Sequence, residues 1–325
     1  MSLFNSKKLI AAAFAALCTS AVLAQAWPPA TVKIIVPYPP GTEPDVLARD
    51  VGNALSRQTG KAFVVENKPG ANSIIGTETV AKADGDGATL LMVDRLAIVT
   101  NPQLCSKMPY KWETSLRPIS DLATVRLFMG VREGLPVKSL SEFIAYAKAN
   151  PKKVNVGTGG NGHVNHIGME MLSQAHGLSF TYVPYKGVAP AIQGLLTGEV
   201  DVVLAGGLAM QSHAKTGKIK LLAVGDTKRA GFMPEVPTLV EAGGKADSIP
   251  STVFSLIGPA KVPDALAQQI SHAVAEAINQ PKLKENYGSR GLEVAPTTPD
   301  QTLELMKREA LRYEKIIRDA GIKIE

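Results

Sequence analysis

The chain is poor in aromatic side chains, which make up 5% of its 325 residues, and it holds only two cysteines. Its Lys and Arg residues are spread along the length with few aromatics between them. The basic, aromatic-lined groove that grips phosphates and stacks bases is therefore missing, and no nucleic-acid partner is expected. One cysteine, Cys18, lies in the extreme N-terminal segment, which leaves Cys105 with no intramolecular partner. The fold must then be held by its core, which a chain of this size can supply. No low-complexity tract or fixed-period repeat occurs, and 45% hydrophobic with 20% charged residues excludes a disordered chain.

Long hydrophobic runs are scarce too. The only one, Leu9 to Ala24, sits behind Lys7 and Lys8 and ends at the small-residue site Ala24-Gln25-Ala26. A basic start, an apolar middle and a small-residue exit make residues 1–26 an expected secretory signal peptide, with Trp27 opening the mature chain. Leu17 before Cys18 does not suit lipid attachment, so a soluble exported form is expected, in the periplasm. Removing Lys7 and Lys8 takes the basic count from 35 to 33 against 29 acids, and the formal charge from +6 to +4. Such a mild excess suits a small anionic ligand.

From Val32 onward, short β-branched runs alternate with amphipathic stretches, the pattern of parallel βαβ units, and the fold class is α/β. Val32 to Val36 reads as a buried strand, followed by a turn at Pro37 to Thr42 and a helix from about Pro44 with Leu47, Val51, Ala54 and Leu55 on one face. Strands at Ala62 to Glu66 and Thr89 to Val93 complete one unit. A second series starts near Leu127 and runs through strands at Val154, Phe180, Val200 and Leu221, so two similar α/β lobes are expected. After the loop Gly243 to Pro250 come a strand, Val253 to Gly258, and three helical stretches ending near Ala320.

Gly157-Thr158-Gly159-Gly160-Asn161-Gly162 follows a strand and opens a helix, and it has the G-x-G-x-x-G spacing. A nicotinamide dinucleotide would also need an acidic residue at the end of the next strand, where Tyr182-Val183-Pro184-Tyr185-Lys186 stands instead. The N–H groups and the dipole of such a helix mouth hold a small carboxylate equally well, or the glycines serve the turn alone. A comparable junction follows the first strand at Pro37 to Asp45, where Asp45 reads as a first-turn carboxylate. Both junctions belong on the carboxyl edge of a sheet, where ligands gather in α/β folds. His163 and His166 stand three apart, but with Cys105 distant and no His-Glu-x-x-His motif no metal is expected. His163 is instead read as a hydrogen-bond donor to a bound anion, with His166 one turn on and partly packed. No nucleophile elbow, phosphate-binding loop or catalytic cysteine pattern is present, no cofactor is expected, and the chain is not read as an enzyme. Arg95, after the Val93 strand, either grips a ligand carboxylate through two parallel hydrogen bonds, or is a solvated loop arginine, or pairs Asp94.

At these motifs the sequence resembles the Bug receptors, the periplasmic solute-binding proteins of tripartite tricarboxylate transporters. The likeness runs through Ile34-Ile35-Val36-Pro37-Tyr38-Pro39, Asp45-Val46-Leu47-Ala48-Arg49, Val65-Glu66-Asn67-Lys68-Pro69-Gly70-Ala71, Gly160-Asn161-Gly162, Val183-Pro184-Tyr185-Lys186-Gly187, Gly217 to Val224 and Val236-Pro237-Thr238. The resemblance implies a type II two-lobed binding protein with two Rossmann-like sheets and a hinge of two chain crossovers. Lobe 1 would comprise residues 27–123 and 249–325, and lobe 2 residues 124–248. Family ligands include dicarboxylates, tricarboxylates, acidic amino acids and aromatic acids, bracketed by the first loop and the loop after the Val154 strand, often through water.

Carried over, the ligand-binding set is Tyr38, Thr42 and Glu43 from the first loop, Arg95, then Thr158, Gly159, Asn161 and His163, with Gly206, Gly207 and Thr252. The sequence departs from the family at three points. Thr42 and Glu43 stand where paired glycines are common, Ala205-Gly206-Gly207 replaces an acidic turn, and Arg95 replaces a small residue. Loss of the acidic turn disfavours amino-acid ligands, and Arg95 would suit a second carboxylate. A dicarboxylate is expected, with an aromatic one such as terephthalate admitted by room at Gly206-Gly207. The expected partner of this receptor, read as a monomer, is a membrane permease. The alternatives are a sensory receptor that presents its ligand to a signalling protein and an exported nicotinamide-dependent oxidoreductase.

Overall fold

The computed structural model describes residues 27–289 and 291–323; the expected signal segment, 1–26, lies outside them. The first strand, β1 (Thr31–Val36), buries Val32 and Ile34 to Val36 because neighbours flank it on both sides. It pairs in parallel with β2 (Ala62–Asn67) and β3 (Thr89–Asp94). Between β1 and β2 runs α1 (Glu43–Thr59). Its start is set by Pro44 and first-turn acids, its end by Gly60 in the left-handed conformation, and its packed face by Leu47, Ala48, Val51, Ala54 and Leu55. A shorter α2 (Ile74–Ala81) joins β2 to β3.

Beyond β3 the sequence reading needs correction. Arg95 does not lie in a loop: it opens α3 (Arg95–Leu104), whose N-cap Asp94 accepts a hydrogen bond from the Leu96 N–H. The β-branched Ile98-Val99-Thr100 and the internal Pro102 disguise this helix. After a turn of helix, α4 (Trp112–Ser115), comes the ten-residue strand β4 (Leu116–Val125), hidden by its polar Arg117, Ser120 and Asp121. The chain then crosses into a second sheet through one residue, Arg126.

That sheet contains β5 (Leu127–Arg132), β6 (Asn155–Thr158), β7 (Thr181–Pro184), β8 (Val202–Gly206) and β9 (Ile219–Val224) in the order β7-β6-β8-β5-β9. Its helices are α5 (Leu140–Ala149), α6 (Val164–His176), α7 (Val188–Thr197) and α8 (Gly207–Lys215). The last of these opens on glycines, which is why its sequence does not look helical. The return crossover leads to β10 (Thr252–Pro259), then α9 (Asp264–Ile278), α10 (Pro281–Ser289), β11 (Leu292–Val294) and α11 (Pro299–Ala320). The first sheet thus has the order β11-β4-β10-β3-β1-β2. Neither sheet is wholly parallel: β10 runs antiparallel to β3 and β4, and β5 antiparallel to β8 and β9. β11 runs antiparallel to β4 as well, and β5 and β10 are the strands that the two crossovers enter.

Arg126 ties the crossovers together. Its Nε donates to Asp226, just beyond β9, at 2.6 Å, and its Nη2 to Glu293 of β11 at 2.5 Å. The last helix, α11, also spans the junction. Thr298 and Gln301 form a capping box at its start and Gly321 closes it. Met306, Tyr313 and Ile317 enter one apolar core with Leu91 and Val93 of the first sheet and Met129 and Val131 of the second. Farther along, Ile316 C=O accepts from Gln174 of α6 at 3.1 Å. Truncation of Met306, which is fully buried, should leave a cavity in this shared core. Met306→Ala is expected to lower unfolding free energy by about 2–5 kcal/mol, read by urea denaturation.

Candidate functional site

The carboxyl ends of the parallel strands carry the loops singled out on sequence. In the first sheet, Asp45 is buried and accepts from the Gly41 N–H at 2.8 Å, Asn67 Nδ2 at 2.8 Å and Arg49 Nη2 at 2.9 Å. Burial alone would raise its pKa, but these donors outweigh it and hold the carboxyl below the ordinary range. Asp45 is therefore the staple of the first loop. Thr42 spends its hydroxyl on Pro39 C=O at 2.7 Å and does not cap α1. The Tyr38 hydroxyl accepts from the Asp94 N–H at 3.1 Å, joining this loop to the end of β3.

In the second sheet the glycine motif divides by role. A Cβ on Gly157 would lie 3.0 Å from Val200 and Val203, so this glycine serves packing, while Gly160 and Gly162 take positive φ in the turn. Gly159 is bare so that the His163 ring can lie over it. Thr158 is buried, with Oγ1 accepting from the Gly160 N–H at 3.4 Å, and Asn161 is exposed at the loop tip.

His163 occupies the N-cap position of α6, though a protonated Nδ1 cannot accept from the Asn165 N–H; its protonation is fixed by Asn165, which sequence reading passed over. Two backbone groups of known polarity orient the Asn165 amide: the Gly159 N–H donates to Oδ1 at 3.1 Å, and Nδ2 donates to Leu204 C=O at 3.3 Å. The 2.9 Å contact between His163 Nδ1 and Asn165 Oδ1 then requires Nδ1 to be the donor. The Asn165 N–H also approaches Nδ1, but at 3.5 Å, and the shorter contact decides the tautomer. His166 has the opposite one, since its Nδ1 accepts from the Gly162 N–H at 3.1 Å. Burial lowers the pKa of both rings, that of His166 to about 4, so both are neutral near pH 7. His163 Nε2 is thus an acceptor, the reverse of the donor expected from sequence.

The two sheets meet at these edges. Glu43 Oε2 of the first lies 4.0 Å from the point where a Cβ would sit on Gly206, at the end of β8. Gly206 and Gly207 do not leave room for a ligand ring: a side chain on Gly206 would meet Val125 at 3.1 Å, and one on Gly207 would meet Met233, Phe128 and Phe232 below 2.8 Å. Thr252 is buried at the start of β10, paired with Val125 beside the crossover. A shallow groove of about 540 Å³ lies elsewhere, between Tyr185, Gln193 and Glu199, but one lobe alone lines it.

Arg95 is the clearest correction. It is neither solvated nor turned towards a ligand, nor does it form the expected pair with Asp94. Its Nε and Nη2 fork onto Glu309 of α11 at 2.9 and 2.7 Å, and its Nη1 bonds Asp121 of β4. Burial works against its charge, but the two carboxylates more than restore it. Ser255 of β10 donates to the other Asp121 oxygen at 2.5 Å. The guanidinium is thus fully engaged in joining β3, β4 and α11.

Two sheets, two crossovers and helix mouths at the carboxyl edges of the strands define the two-lobed fold of a solute-binding protein. Comparison with known proteins agrees. Residues 47–322 match the family described as tripartite tricarboxylate transporter family receptor. BugT of Bordetella pertussis is 30% identical over 305 residues, 94% of this chain and 93% of the relative. A solved structure of Rpa4515 from R. palustris with adipate is 28% identical with a TM-score of 0.81, covering 91% of this chain and 99% of that one. The structure of the periplasmic binding protein BugD is 28% identical with a TM-score of 0.79, covering 92% and 100%. The chain belongs to the tripartite tricarboxylate transporter receptor family, and is a solute-binding receptor and not an enzyme. The oxidoreductase reading of its glycine motif is thereby overturned. No helix among the described residues is long and apolar enough to cross a membrane.

Arg95→Ala would leave Asp121 and Glu309 without their cation, and a loss of roughly 3–5 kcal/mol is expected in chemical denaturation, with the preference between mono- and dicarboxylates unchanged. Asp94 is expected to give an unusual pH dependence. Burial, with Glu309 nearby, raises its pKa to about 7, above the unfolded value of about 3.9. The folded state therefore holds a proton that the unfolded state has released, and this group costs stability progressively as pH rises from about 4 through 7. Between pH 5 and pH 8, Tm should fall by more in the parent than in Asp94→Asn.

Proposed function

We propose that this receptor is exported to the periplasm, captures a small dicarboxylate between its lobes and delivers it, as a monomer, to a membrane permease. The lobes are taken as residues 27–125 with 249–325, and 126–248, the first boundary moving from residue 123 because β4 of the first sheet runs to Val125. The observation that carries this reading is the approach of Glu43 to Gly206, which brings the mouth of α1 opposite that of α8, with α6 tied to the same strand β8 by the Asn165 to Leu204 hydrogen bond. The adipate complex of Rpa4515 supports a dicarboxylate. Glu43 places its own carboxylate beside the mouth of α8 and, with Asp45, occupies the first turn of α1, so the positive end left for the ligand is that of α6. Contacts are assigned to Tyr38, Thr42 and Glu43 on one side and to Thr158, Gly159, Asn161 and His163 on the other, with Gly206, Gly207 and Thr252 at the hinge side. Arg95 is withdrawn from the set, and an aromatic acid loses its physical basis because protein side chains fill the space around Gly207.

Capture needs no covalent step. Lobe closure strips water from the anion and replaces it with oriented N–H groups, and affinity comes from contacts that exist only when the lobes are shut. Purified protein screened by thermal shift against mono-, di- and tricarboxylates, aromatic acids, amino acids and nicotinamide nucleotides should respond to aliphatic dicarboxylates. A ligand at a hundred times its Kd adds about 2.7 kcal/mol of stability. Silence from every acid would overturn the reading.

A further inference from the structure

We propose that the receptor takes up a proton together with its carboxylate ligand, and that the proton binds at Asp94, beside Tyr38 at the carboxyl end of β3. The inference rests on the reading of the cleft as a carboxylate site and adds a second, coupled ligand.

Asp94 is buried where β3 passes into α3, and its carboxylate accepts from the Leu96 N–H at 3.0 Å. No cation among the described residues forms an ion pair with it. Arg95, the nearest candidate, sends Nε and Nη2 to Glu309 and Nη1 to Asp121. The other groups that face the carboxyl are the Glu309 carboxylate and Tyr313 phenol of α11, the Tyr38 phenol of the first loop and, from β10, only the Val253 N–H. A buried carboxyl with a like charge beside it and no cation of its own is more stable as the acid. Its pKa accordingly rises to about 7, where dicarboxylic ligands are fully ionised. The position of Asp94 couples it to the cleft. Its N–H donates to the Tyr38 hydroxyl at 3.1 Å, and its ladder partner on β10 is Phe254, two residues after Thr252. Tyr38 and Thr252 both belong to the contact set proposed above. A ligand carboxylate within about 10 Å, acting through protein of effective dielectric about 20, lifts the pKa of such a group by roughly one. Protonation of Asp94 removes that repulsion, so ligand and proton each favour the binding of the other.

Calorimetric titration of the full protein with succinate, glutarate and adipate at pH 7.5, in phosphate and in Tris, reads the proton directly, because the two buffers differ in heat of ionisation. These dianions exchange no proton of their own above pH 7. Binding should take up roughly half a proton per ligand, and affinity should fall about fivefold between pH 7 and pH 9. Asp94→Asn keeps an acceptor for the Leu96 N–H and is uncharged at every pH. It should bind dicarboxylate with no proton uptake and with an affinity that is level across that range. Carbon-13 NMR of the Asp94 carboxyl in the parent, titrated against pH with and without dicarboxylate, reads the same coupling should the variant fail to fold. No proton exchange in the parent, or uptake that persists in Asp94→Asn and so resides on another group such as His163 or His166, would overturn the role of Asp94 while leaving the carboxylate receptor intact. Failure of every dicarboxylate to bind would overturn both.

Discussion

The forked contact of Arg95 with Glu309, closed by Asp121, is the interaction on which the rest of the molecule depends. It joins the end of a parallel strand, the strand that leads to the second lobe and the last helix of the chain. A buried cation is costly in isolation and a buried carboxylate equally so; together they specify one arrangement, because no partial version of the cluster satisfies all three charges. With α11 fixed at Glu309, its apolar residues Tyr313 and Ile317 are delivered to the core shared by both sheets. α11 thereby packs against both sheets at once.

The binding edge is built with little charge to spare. Arg49 is engaged by Asp45 and Asn67, and Lys68 lies 3.2 Å from Glu66. Besides Glu43, helix mouths and neutral side chains remain, and these impose direction where a flexible ammonium would not. The two histidines show the same economy: two residues of one type, three apart, are made an acceptor and a donor, one by the Asn165 side chain and the other by the Gly162 N–H.

Local features were the legible ones. The apolar period of α1, Pro44 at its start, β1 with its buried run and the glycine junction before α6 can all be read from neighbouring residues. The helix opened by Arg95 and the one opened by Gly206-Gly207 were missed because β-branched residues and glycines contradict local propensity, and tertiary packing prevails. The position of Arg95 was read correctly as a strand end, but its partners lie 26 and 214 residues away, where no spacing rule reaches. His163 was likewise found as a residue at a helix mouth, while its polarity depends on Leu204 through the amide of Asn165. Sequence shows which chemical groups are available; the contacts that decide their direction are made by the fold.

The bracing at Arg126 has a consequence for motion. Its two acceptors lie on different sheets, Asp226 beyond β9 and Glu293 within β11, while the guanidinium sits on the single residue between β4 and β5. Rotation that carries the sheets apart must lengthen one of these contacts, and both are partly open to water, where dissolved ions compete for them. The resting angle of the lobes is therefore an electrostatic quantity as well as a steric one. In a receptor that opens as proposed, this is the contact at which the ionic strength of the surrounding fluid would be felt.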